Sequence, residues 1–392
     1  MPEQRPTLAA LFARFLRFGL LAWGGPVAQI AMIKRELVEE EQWISPERFN
    51  RLLAIYQVLP GPEAHELCVH FGMMKRGRRG GILAGLGFML PGFLLILALA
   101  WTYQHLNLQQ PAIAAVFGGV QIGVIALIVR AVHRIGEHVL TDKWLWVAGI
   151  ASAAASLMGV RFWIVLPTAG AFYALASAGR LGPAAIAVAL GAALAVWVSA
   201  SGGSGFGAAG PVDEVPVTVS ALFLSGLKAG LLTFGGAYTA IPFVRHDAVG
   251  RGWVTDGQFL DSLALSGIIP APLIIFATFI GYLAAGLVGA LAITAGIFLP
   301  AFSFALLFYD RLERVIEDHR LHNLLEGVAA GVAGLIAVTA LQLGWNVAQS
   351  VPSVALGTAI FAASLAVLYL WKSKLNVLAV IVGSAVVGSL AF

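Results

Sequence analysis

Gly19-Leu20-Leu21-Ala22-Trp23-Gly24-Gly25-Pro26 interrupts the first apolar stretch of the chain, and Leu59-Pro60-Gly61-Pro62-Glu63 interrupts the next. Both return in the second half, as Gly230-Leu231-Leu232-Thr233-Phe234-Gly235-Gly236 and Ile269-Pro270-Ala271-Pro272. Glycine supplies backbone freedom and proline removes an amide donor, so each break ends one helix and offers the start of another. In a bilayer such backbone persists only where it is buried in protein or lines a wet cavity, which makes the four breaks candidate binding elements.

The surrounding chain is apolar enough for that setting. Of 392 residues, 59% are hydrophobic and 11% charged, where a soluble protein carries about 25% charged residues; the mean hydropathy is +0.87. Runs such as 81–101, 111–129 and 289–308 approach the roughly 20 residues a crossing helix needs. An all-α polytopic membrane protein is expected, and its 45 glycines suit close helix packing. The pI near 9.3 does not imply nucleic acid, because net charge is only +4 and the basic residues lie between apolar runs, where they orient the chain in the bilayer. Cys68 is the single cysteine, so no intrachain disulfide forms. The first apolar run carries Arg14 and Arg17 with no small-residue cleavage pattern after it, so this helix is expected to stay.

The two halves match in order. Gly24 pairs with Gly235, Pro60 with Pro270, Pro91 with Pro300 and Gly119 with Gly327, the spacing drifting only from 211 to 208 residues. Trp43 meets Trp253, Phe49 meets Phe259, and Gly72, Gly77 and Gly80 meet Gly281, Gly286 and Gly289. This is an internal duplication. Lys75, Arg76, Arg78 and Arg79 have no basic counterpart in 284–288, whereas Tyr103–Pro111 is free of Lys and Arg and its counterpart carries Arg311, Arg314 and Arg320. Lys and Arg mark cytoplasmic loops, so equivalent loops face opposite sides and the topology of the repeats is inverted. About 13 membrane segments follow if each broken piece is counted. The expected organisation is a first repeat over 1–200, a periplasmic Gly/Ser/Pro-rich linker over 201–217 and a second repeat over 218–392. The charged segments Lys34–Trp43 and Arg311–His322 read as amphipathic surface helices.

Pro26 and Pro62 stand where a helix begins. Each half-helix then directs the positive end of its dipole, about half an elementary charge, into the membrane. Four converging termini would sum to about two positive charges, enough to oppose a dianion. The substrate-binding set is therefore Gly24, Gly25, Pro26, Pro60, Gly61, Pro62, Gly235, Gly236, Pro270 and Pro272, with Gln29, Gln57, Tyr238, Thr239 and Ser266 as hydrogen-bonding neighbours that helix packing would equally use. Arg17 and Lys228 share one repeat position, and charges at that depth are functional by default; snorkelling to the interface is the alternative for Arg17. Glu63, His65 and Glu66 follow Pro62 and are proton-coupling candidates, since a carboxylate beside an anion pocket links proton and anion binding. Stabilising the helix dipole is the structural alternative for Glu63. His65 and His70 are five residues apart, about 140° around a helix, where ligation on one face needs four; no metal and no cofactor are expected. Neither a Walker-type loop nor a Gly-x-Ser-x-Gly elbow occurs, against a nucleotide-driven pump and a serine hydrolase.

At Phe18-Gly19-Leu20 with Trp23-Gly24-Gly25-Pro26, at Leu59-Pro60-Gly61-Pro62-Glu63-Ala64, at Gly85-Leu86-Gly87-Phe88-Met89-Leu90-Pro91-Gly92, and again at Thr233-Phe234-Gly235-Gly236 and Trp253 to Pro272, the sequence resembles the two-domain form of the chromate ion transporter family. It departs from the pattern at Ala271, where a Gly between two prolines is expected, and at Ala237-Tyr238. The resemblance implies antiparallel halves and proton-motive export of chromate, an oxyanion that sulfate mimics, across a prokaryotic inner membrane. A sulfate or other oxyanion carrier is the alternative within transport. From another class comes an intramembrane enzyme acting on phosphorylated lipid, which would need a nucleophile or metal that the breaks lack. The partners are the oxyanion, protons and the lipid bilayer, with no nucleic acid; a homodimer is left open.

Overall fold

The computed structural model describes residues 6–106, 110–200, 216–234, 236–307, 319–373 and 375–392. Gly235, Arg311, Arg314 and most of the 201–217 linker lie outside the described residues, which contain helices and connections but no strand. Helix α1 (Leu8–Leu20) starts at Thr7, whose hydroxyl accepts the Ala10 amide at 3.1 Å. In the second half α9 (Val219–Leu231) starts the same way, Thr218 accepting from Ala221 at 3.1 Å; each such cap contributes about 1 kcal/mol. After the first break come α2 (Gly25–Ile33), a π-helical turn over Lys34–Glu40 and α3 (Pro46–Val58). The segment expected as a surface helix is thus the wound-out end of α2, and Glu36, Leu37 and Val38 are buried. The physical reason is a partner, for Arg17 reaches Glu36 at 3.1 Å.

Helix α4 (Glu63–His105) is folded back on itself. Arg76 (φ −140°, ψ 26°) and Gly77 (φ 60°, ψ −158°) leave the helical region, and a Cβ on Gly72 would strike the carbonyl of Gly80. In a straight helix those two residues would be about 12 Å apart. The arms 63–75 and 78–105 therefore form a hairpin, with glycine at the crossing because any side chain would hold the backbones apart. Helix α12 (Phe276–Leu307) repeats the turn at Ala285 (φ −149°, ψ 30°) and Gly286 (φ 61°, ψ −152°), again with Gly281 against Gly289. At 1.5 Å per residue the short arms reach about 20 Å and 14 Å, less than the roughly 30 Å hydrocarbon core. Each break following α3 or α11 (Asp256–Gly267) thus joins two half-length pieces.

Long helices surround these pieces. Among the described residues five stretches are long and apolar enough to cross a membrane: Glu63–His105, Pro111–Val139, Leu181–Val198, Leu273–Leu307 and His322–Ser350. They belong to α4, α5 (Pro111–Val139), α8 (Leu181–Ala200), α12 and α13 (His319–Ser350). Shorter apolar helices are α7 (Phe162–Ser177), α9, α14 (Val354–Leu370) and α15 (Asn376–Ala391); α6 (Lys143–Leu157) and α10 (Ile241–Ala248) are further helices of the described residues. The protein is a multi-pass α-helical membrane protein. Of the thirteen expected segments, several are the half-length pieces at the breaks.

The folded helices form the centre, α4 and α12 packing on each other, α1 on α4 and α9 on α12. The two outer contacts are made alike: Gly19 lies against the Phe88 carbonyl and Pro91, Gly230 against the Ile297 carbonyl and Pro300. One core gathers Leu11, Phe15, Phe18, Phe49, Tyr56, Phe71 and Phe88. A larger one gathers α5, α9–α13 and the C-terminal helices.

Candidate functional site

The four breaks meet inside the bundle. Gln29, buried on α2, donates its amide to Ala22 O in its own break and to Ala271 O in the break before α12, each at 3.0 Å. The Gly61 amide donates to Thr233 O at 2.9 Å, joining the break before α4 to the one after α9. A Cβ on Gly92 would strike Ala271, so this departure from the family pattern is packed against the long arm of α4. From these contacts the helix starts fan out. Gly24 (φ 88°) is the N-cap of α2 and Pro26 lies in its first turn, while Pro62 is the N-cap of α4. In the second half the starts are looser: 3₁₀ turns over Ala237–Ala240 and Leu273–Ile275 precede α10 and α12, the latter turn capped by Pro272.

Two repeat-equivalent glycines face open space. A Cβ on Gly25 (φ 75°) or on Gly236 (φ 119°) would meet nothing within 4 Å, although Gly236 is itself buried. Close by, Pro60, Gly61, Pro62, Pro270, Glu63, His65 and Glu66 are buried. Both Glu66 oxygens lack a hydrogen-bond partner among the described residues, and the carboxylate lies against Gly61, where a Cβ would sit 2.6 Å from Oε1. His65 is set among Phe88, Phe298 and Phe302, the last at a centroid distance of 4.7 Å. The other predicted neighbours are placed differently. Thr239 spends its hydroxyl on Gly236 O (2.7 Å), Ser266 on Leu263 O (2.9 Å), Tyr238 is half-buried and Gln57 is exposed on α3.

Arg17 and Lys228 are not free cations. Lys228 Nζ lies 2.5 Å from Asp247 Oδ2, and Arg17 is paired with Glu36. Glu36 and Asp247 occupy one repeat position, as their partners do. The halves therefore build the same basic–acidic brace between the helix before the Gly-Gly break and the helix after it. Asp247 also receives His246 (3.3 Å) and Arg251 (3.6 Å). Reading residues singly missed these acids, although their matched positions were visible in the repeat.

Residues 9–194 and 220–389 match the family described as chromate transporter. A chromate transport protein of Pseudomonas aeruginosa is 61% identical over 389 residues, covering 97% of this chain and 92% of the relative. A chromate transport protein of Cupriavidus metallidurans is 31% identical across 98% of this chain and 94% of its own length. For a probable chromate transport protein of Synechococcus elongatus the figures are 28%, 97% and 95%. No solved structure matches. With both halves matched, and with relatives aligned nearly from end to end, this chain belongs to the chromate transporter family.

Proposed function

We propose that the protein is a secondary transporter exporting chromate across a prokaryotic inner membrane, driven by the proton motive force, and that the anion sits where the four breaks meet. The observation that carries this reading is the pair of cross-links Gln29 to Ala271 and Gly61 to Thr233, which draws breaks from both halves to one place. In the first turn of α4 the His65 and Glu66 amides bond to Pro62 O, which leaves the amides of Glu63 and Ala64 at its start without an intrahelical acceptor, and the dipoles of α2 and α4 add positive potential there. A Cβ on Gly25 or on Gly236 would meet nothing within 4 Å, so the backbone at both positions is open to close approach by an anion. With Arg17 and Lys228 neutralised by their partners, the backbone dipoles of the helix starts supply the positive potential in this scheme. Glu63, His65 and Glu66 are the proton carriers in this scheme, Glu66 above all because its buried carboxylate has no donor holding it. Substrate follows the names of the relatives. Family membership sets aside the lipid-processing enzyme.

In inside-out vesicles chromate should accumulate saturably, and a protonophore should abolish that accumulation. Glu66→Gln should keep anion binding and lose the protonophore response. Accumulation indifferent to protonophore would remove the proton coupling, and sulfate accumulating as well as chromate would change the substrate.

The two repeats, 1–200 and 218–392 joined by the linker 201–217, lie inverted in this reading. Support comes from the matched caps, kinks and crossing glycines, together with basic loops that alternate between the halves. Single-cysteine variants test the orientation, in a background where buried Cys68 is replaced. A cysteine at Arg78 should label only from the cytoplasm and one at exposed Leu287 only from the periplasm. Labelling of both from one side would remove the inversion.

A further inference from the structure

A second buried acid lies away from the Pro60–Glu66 segment. Asp261 on α11 is 3% exposed. Its Oδ2 accepts the Tyr103 hydroxyl at 2.6 Å and its Oδ1 the Gln121 amide at 3.0 Å. The three residues come from α11, the far end of α4 and the first half of α5, so one carboxylate ties three elements together. Among the described residues no Lys, Arg or His forms an ion pair with it.

Its surroundings are nearly without charge. On α12 the only titratable residue is Tyr282, and the 273–275 turn and α15 have none. On α5 the nearest charged residue to Gln121 is Arg130, about 13 Å farther along the helix. On α4 His105 is exposed and bonded to Trp101 O at 2.7 Å. On α11 itself Asp256 is held by Arg245 and Asn346. A carboxylate in such a place faces a large desolvation cost that two neutral donors only partly offset, and ionisable residues kept there despite the cost are functional by default.

The clamp suits both protonation states. As an anion Asp261 accepts from Tyr103 and Gln121. When Oδ2 takes a proton from hydronium and releases water, the new O–H can donate to the Tyr103 oxygen, and the Tyr103 O–H gives up its bond to Oδ2 and rotates away, while Gln121 stays on Oδ1. The cluster is also coupled to the breaks, because α11 leads directly into Ile268–Pro272 and the Tyr103 ring packs edge-on against Phe279, just beyond that break, at 5.0 Å. In the repeat Asp261 corresponds to Arg51 and Glu63 to Leu273, so, unlike Glu36 and Asp247, these two buried acids have no acidic counterpart in the other half.

We propose that Asp261, clamped between Tyr103 and Gln121, is a proton-binding site of the transport cycle, separate from Glu63 and Glu66. The proposal rests on the proton-coupled reading above. Full-length protein in liposomes is assayed for chromate uptake driven by a pH gradient, for chromate exchange without a gradient, and for carboxylic-acid carbonyl absorption in the infrared during acidification. Asp261→Asn preserves the shape of the protonated form. It should keep exchange within about twofold, lose gradient-driven uptake by about tenfold or more, and lack one carbonyl band present in wild type. Should Asp261→Asn not fold, Tyr103→Phe, which keeps the ring and removes one donor, should move the pH midpoint of that band by about half a unit or more. A wild-type protein indifferent to the gradient overturns the proton-coupled reading and this proposal together. A responsive wild type with an equally responsive Asp261→Asn and an unchanged band overturns the proposal alone, leaving the clamp as a structural tie. An unmoved midpoint in Tyr103→Phe also overturns it.

Discussion

Valine at Gly61 is expected to abolish chromate transport while the protein still reaches the membrane. Gly61 sits at φ 154°, and a Cβ there would lie 2.6 Å from Glu66 Oε1 and 2.8 Å from its Cδ. Glu66 is fully buried. Backbone strain of about 1–3 kcal/mol and overpacking of similar size then fall on the break that contacts Thr233. Since binding requires the helix starts to converge, flux should drop about a hundredfold or more. Valine at Gly25 carries the φ penalty and adds bulk in the open space itself, so it should also block transport. Gly118 provides the comparison, because it lies within α5 and its nearest neighbour to a Cβ would be Phe392 at 3.7 Å; Gly118→Val should stay within about twofold of wild type. Flux per inserted molecule is the measurement. Equal loss in all three variants would reduce the breaks to packing features.

Breaking the Lys228–Asp247 pair should produce the largest stability loss. The Asp247 side chain is 2% exposed and that of Lys228 27%. Lys228→Gln removes the nearest cation from a buried carboxylate that keeps Arg251 at 3.6 Å and His246 at 3.3 Å, so the cost should stay below that of a fully uncompensated buried charge, about 3–5 kcal/mol, out of a total stability of about 5–15 kcal/mol. The double variant Lys228→Gln with Asp247→Asn removes both charges and should recover most of the thermal midpoint and of the anion binding. Arg17→Gln should cost less, since Arg17 is 58% exposed and Arg35 remains 3.9 Å from the buried Glu36. Thermal unfolding and sulfate or chromate binding at fixed ionic strength decide the matter. A double variant that is stable yet no longer binds anion would show that Lys228 supplies charge to the substrate. An undisturbed Lys228→Gln would remove the bracing role.

These expectations rest on information of two kinds. Membrane class, the four breaks and the duplication were legible in the chain, because hydropathy, Gly/Pro interruption and matched spacing are properties of neighbouring residues or of order along the sequence. The kink at Arg76-Gly77 was half legible. Gly77 and Gly286 match in the repeat, yet the basic run around Gly77 reads as an ordinary loop. Pairing the same way, Glu36 and Asp247 announce their role only when the halves are laid over each other and then set against Arg17 and Lys228.

What the sequence by itself determined is therefore an apolar, duplicated, helix-broken chain and the residues at its breaks. The tertiary structure alone decided that Gln29 reaches Ala271 and that the Gly61 amide reaches Thr233. It likewise turned Arg17 and Lys228 toward carboxylates and brought Tyr103 onto Asp261, 158 residues away. The reason is physical: a helix start or an apolar face follows from local backbone chemistry, whereas a partner for a buried polar group is chosen by how folded helices pack, and spacing marks that choice only where both halves repeat the pair, as in Arg17–Glu36 and Lys228–Asp247.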